Sequence, residues 1–99
     1  MSCMSYNCRG VGRDATVREI RDLKRRFNPT IFCVLETQVH KARVEGLAST
    51  LGYDHSFAIS SSGRSGGIGL FWTNEIKIDI LPYSQYHLDV KITEAERDP

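Results

Sequence analysis

Ninety-nine residues with 13 Lys/Arg against 12 Asp/Glu form a near-neutral chain, net +1, too short for more than one domain of ordinary size. A hydrophobic content of 40% and a charged content of 25% are usual for a soluble globular protein and exclude a disordered or low-complexity chain. The longest unbroken apolar run, Ile31-Phe32-Cys33-Val34-Leu35, is far too short for a membrane-spanning helix.

Residues 3–7 open the pattern as a strand, and Arg9 to Asp14, with Gly10 and Gly12, read as a loop. Thr16-Val17-Arg18-Glu19 has the form of a capping box, in which the Thr hydroxyl and the Glu carboxylate each satisfy the other's backbone amide. Val17, Ile20, Leu23 and Phe27 then recur at helical spacing until Asn28-Pro29 stops the helix. Residues 31–35 are continuously apolar, as in a strand covered on both faces. Val44, Leu47, Ala48 and Leu51 predict one helix over residues 41–51, with Gly52 at its C-cap. Four strands follow without a helix between them, over residues 53–59, 67–72, 76–81 and 88–92. The last two alternate strictly, and short Gly, Asn and Pro turns favour antiparallel pairing. The expected fold is α/β: βαβα followed by antiparallel strands, with helices over the early part and none to cover the later part.

Two polar residues end the first two strands, Asn7 in Tyr6-Asn7-Cys8-Arg9-Gly10 and Glu36 in Val34-Leu35-Glu36-Thr37. A right-handed crossover between parallel neighbours brings both to one carboxyl edge, where open α/β sheets bind ligands. A carboxylate there suits Mg²⁺, and an amide can orient a phosphate without adding charge. The plainer alternative makes Asn7 a turn opener and Glu36 a solvated strand end. Gly63-Arg64-Ser65-Gly66-Gly67 lacks the Lys-Ser/Thr ending of a P-loop and precedes no helix, so it reads as a hairpin connection from which Arg64 could touch a phosphate.

Residues 1–50 hold nine Lys/Arg against five Asp/Glu, and residues 51–99 hold four against seven. Much of the basic excess lies on the first helix, as Arg18, Arg21, Lys24, Arg25 and Arg26; it is a solvated face or a surface that steers a polyanion. His40, His55 and His87 show no ligand spacing with one another or with Cys3, Cys8 and Cys33. With no disulfide framework and no visible signal peptide, the chain reads as intracellular.

Tyr6-Asn7-Cys8-Arg9-Gly10, Leu35-Glu36-Thr37, Gly63-Arg64-Ser65-Gly66-Gly67 and His87-Leu88-Asp89-Val90 occur in an order that resembles the endonuclease/exonuclease/phosphatase superfamily. More narrowly, they look like the endonuclease region of plant non-LTR (LINE-type) retrotransposon polyproteins. The resemblance runs from Cys3 to Pro99. It implies part of a four-layer α/β sandwich, with a Mg²⁺ site that hydrolyses phosphodiester bonds. Glu36 matches the family's metal-binding glutamate, and Asn7 the asparagine that positions the phosphate. It also implies DNA as partner, hence a nuclear location, with no membrane and no organic cofactor. Tyr6 stands where the family more often has Trp. Arg9 stands where DNA-repair relatives carry an acid, which favours the retroelement branch. The family's later Gly-Asp-Phe-Asn and Ser-Asp-His segments have no counterpart here. The expectation is therefore that residues 1–99 are a truncated, N-terminal half of the domain, inactive alone. The alternatives are a degenerate relic or non-catalytic nucleic-acid-binding module, and a fragment of a phosphomonoesterase of the same superfamily.

Overall fold

The computed structural model of the chain describes residues 1–62, 65–84 and 87–94. The elements run β1 (Cys3–Asn7), α1 (Asp14–Phe27), β2 (Ile31–Leu35), α2 (Lys41–Glu45), α3 (Leu47–Leu51), β3 (His55–Ile59), β4 (Ile68–Trp72), β5 (Ile76–Ile80) and β6 (Val90–Glu94). This is a mixed α/β architecture compatible with an incomplete α/β sandwich. One sheet has the order β1-β2-β4-β3, and β5 pairs with β6 in a separate ribbon. β1 and β2 are parallel, as the helical crossover requires, while β4 is antiparallel to both β2 and β3.

Strand alternation divides the core. Met4, Tyr6, Phe32, Val34, Ala58 and Phe71 face the helices, where Ile20, Val44, Leu51 and Tyr53 complete one cluster. The Tyr53 ring stacks on Phe71 with centroids 5.9 Å apart, and its hydroxyl donates to the Pro29 carbonyl at 2.7 Å. On the opposite face, Ile31, Cys33, Phe57, Leu70 and Trp72 meet Ile76, Ile78, Ile80, Leu88 and Val90 from the ribbon. The later strands thus pack as a second layer on the side of the first sheet that the helices leave bare.

Several boundaries depart from the sequence pattern. The capping box does not form, because α1 begins at Asp14 and leaves Thr16 inside the first turn. Arg13, extended at the N-cap, offers no side-chain cap, but its carbonyl already accepts from Val17 at 3.2 Å and Asp14 suits the positive end of the helix dipole. The single helix expected over residues 41–51 is divided at Gly46 into α2 and α3, although Gly52 ends it as expected, with φ 80°. β3 starts at His55 because the Tyr53 amide is spent on the Ala48 carbonyl at 2.9 Å. β6 lies two residues later than the pattern suggested, a shift that keeps Val90 and Ile92 on one face.

Candidate functional site

Parallel register pairs Asn7 with Leu35, so Asn7 and Glu36 end adjoining strands at the same carboxyl edge. Asn7 is exposed and lies on the face opposite Tyr6, whereas Glu36 is half-buried. The backbone here is strained. Arg9, Glu36 and Gln38 have φ of 52°, 57° and 59°, a left-handed conformation that costs a non-glycine residue roughly 1–2 kcal/mol. Such strain persists where surrounding structure enforces it, and it clusters at functional sites.

Three segments enforce it through their main chains. Cys8, Gly10 and Val11 amides donate to the carbonyls of Leu35, Glu36 and Thr37 at 3.0, 2.7 and 2.9 Å. The Thr37 and Gln38 amides in turn donate to Gly67 and Gly66 at 3.3 and 3.0 Å. The Cys8 thiol adds contacts to the Leu35 and Glu36 carbonyls at 3.3 and 3.5 Å, and its burial pushes its pKa up, so it stays a thiol. The turn between β3 and β4 is therefore stitched to the loop that carries Glu36.

Two residues that the sequence showed only as motif members, with no role of their own, hold this junction. Thr37 is fully buried, and its hydroxyl has no hydrogen-bond partner among the described residues. Gly67, at φ 94°, lies so close that a Cβ on it would meet the Thr37 hydroxyl at 2.1 Å. Glycine is required there by conformation and by space.

A cleft of about 300 Å³, lined by Arg9, Gly10, Gly12, Arg13, Gln38 and Val39, opens beside the strained loops. Arg43 reaches the same loop, donating to the Gly12 carbonyl at 3.4 Å. Tyr6 is no base: hydrogen bonding to Glu19, then burial, pushes its pKa up to about 12. Arg64 lies outside the described residues; Ser62 and Ser65 on either side of it pair through bonds of 2.8 and 3.1 Å, as a hairpin connection would.

The three histidines are spread over structural tasks. His40 caps α2 by accepting from the Ala42 amide at 3.2 Å, and His55 stacks on Trp72 while bonding Asn74 at 2.6 Å. His87 meets Asp89 at 2.8 Å, both exposed. Among the described residues no group of three or more His, Cys, Asp or Glu could hold a metal ion. The Glu36 carboxylate and the Asn7 amide oxygen are donors of the right hardness for Mg²⁺, but they are two where a hard cation takes six or more oxygens, water included. These two residues do not complete a metal site by themselves, and an ion held there would take its remaining oxygens from elsewhere.

The mixed α/β scaffold thus brings an amide and a carboxylate to the carboxyl edge of parallel strands, beside a cleft lined by Arg9 and Arg13. The model of the endonuclease/exonuclease/phosphatase family matches residues 4–98, and the chain belongs to that family of hydrolases, which is generally dependent on a divalent metal. A search of curated proteins found no match. No helix among the described residues is long and apolar enough to cross a membrane.

Proposed function

We propose that this chain supplies one wall of a Mg²⁺-dependent phosphodiesterase site, of the type found in retrotransposon endonucleases, acting on DNA in the nucleus. The observation that carries the reading is the register: Asn7 and Glu36 end neighbouring parallel strands, on loops locked together by the Gly10–Glu36 bond of 2.7 Å. In this reading the Asn7 side-chain N–H donates to a phosphate oxygen. Glu36 is the one carboxylate this chain gives to the metal of the complete domain, where the ion would neutralise charge on the phosphoryl oxygens. Arg9 in the adjoining cleft, in place of an acid, supports the retroelement branch over abasic-site repair. With one carboxylate, the 99 residues alone are inactive.

The test is plasmid nicking by a longer chain that carries the Gly-Asp-Phe-Asn and Ser-Asp-His segments. Glu36→Gln abolishes its Mg²⁺-dependent nicking; undiminished nicking by that variant sinks the proposal. The 99-residue chain should not nick above a buffer blank, and robust EDTA-sensitive nicking by it would contradict the donor count.

A further inference from the structure

The basic side of α1 takes no part in the edge at Asn7. α1 leaves that edge and runs back along the sheet, so its last turn lies about 20 Å away at a rise of about 1.5 Å per residue. There a polar cleft of about 210 Å³ separates α1 from the end of α3, lined by Arg21, Lys24, Arg25, Asn28, Thr50 and Leu51. A second hollow of about 220 Å³ adjoins it, lined by Arg18, Arg21, Asp22 and Arg25. None of these four cations is in an ion pair among the described residues. Asp22 is the one carboxylate lining either hollow. Lys24 is held in place, its Nζ donating to Asn28 Oδ1 at 2.5 Å and sitting 4.8 Å from the centre of the Tyr53 ring.

We propose that this cationic furrow docks the phosphate backbone of a nucleic acid, at a site separate from Asn7 and Glu36. Cations in the last turn of a helix complement its dipole, which accounts for Lys24, Arg25 and Arg26 but not for Arg18 and Arg21 further up. From Arg18 to Arg25 the row spans about 10 Å of helix. That length is about three steps of the roughly 3.4 Å axial rise of a duplex, longer than a single phosphate group would need. A lipid surface would want large apolar side chains beside the charges. Along α1 the exposed one is Phe27, and Arg26 covers its ring at 5.2 Å.

The experiment is fluorescence anisotropy of a labelled duplex DNA with the 99-residue chain, in EDTA throughout, across a range of salt. Replacing Arg21 and Arg25 together by Ala should weaken binding about tenfold and flatten the dependence of log K on log salt by about 2, close to 0.9 for each phosphate no longer neutralised. Restoring charge with Arg21→Lys and Arg25→Lys should restore the slope. Lys77→Ala with Lys91→Ala, exposed on the ribbon, should change neither, and matched melting temperatures keep the comparison on charge. An equal loss from the ribbon pair overturns the proposal, as does unchanged binding by the arginine pair. Loss of binding to phosphatidylserine vesicles with duplex affinity intact overturns it too. Because no metal is present, the outcome is independent of the reading of Glu36.

Discussion

The two faces of the first sheet are made of similar side chains but finished to different degrees. Under the helices, Phe32, Phe71 and Ile20 have no exposed surface, and Val34 and Val44 have 1%. On the ribbon side, Cys33, Phe57, Leu88 and Val90 are only half-buried, and Leu35 is 37% exposed. A groove of about 350 Å³, lined by Leu35, Ile68, Leu70, His87 and Leu88 among others, remains between the layers. The difference follows from coverage: three helices close one face, whereas two strands shield the other in part. The candidate site sits above the half-open side, since Asn7 shares its face of β1 with Cys3 and Ser5.

That contrast predicts a gradient of mutational cost. Phe32→Ala empties the closed face and should cost about 3–5 kcal/mol in urea unfolding, whereas Leu88→Ala in the groove wall should cost less than about 2 kcal/mol. Equal losses would mean that the ribbon face is as well packed as the helical one. Next comes the junction between them. Gly67→Ala must adopt a φ of 94° and displace the Thr37 hydroxyl, so a loss of about 3 kcal/mol is expected from strain and overpacking combined. A near-neutral result would show that the turn of β4 is free to move. The smallest effect has the opposite sign. Thr37→Val exchanges a buried hydroxyl with no partner among the described residues for a methyl group of similar shape, and should raise stability by about 1 kcal/mol. Destabilisation instead would reveal a partner for that hydroxyl.

Much of this was legible in the sequence for identifiable reasons. Periodicity located α1 and the inward set Ile76, Ile78 and Ile80, because burial on one face imposes a repeat, and an unbroken apolar run located β2, which is covered on both faces. The parallel meeting of Asn7 and Glu36 followed from handed crossover. The capping box at Thr16 misled because the Arg13 carbonyl and Asp14 support an earlier start, which side-chain pattern alone does not show. Gly46 interrupts a helix whose apolar spacing runs straight through it. The division of the later strands into a separate ribbon depends on pairing partners, as does the crowding of Thr37 against Gly67. Neither residue type announces a long-range contact. The family motifs pointed to Glu36, but its left-handed backbone appears only when three loops are seen joined.

The most direct measurement is a Mg²⁺ titration of the ¹⁵N-labelled chain followed by NMR, comparing wild type with Glu36→Gln. Weak, saturable shifts centred on Asn7 and Glu36, lost in the variant, are the expected result. Shifts of the same size scattered over Asp22, Asp54 and Asp79, unaffected by Glu36→Gln, would contradict a metal-facing carboxyl edge.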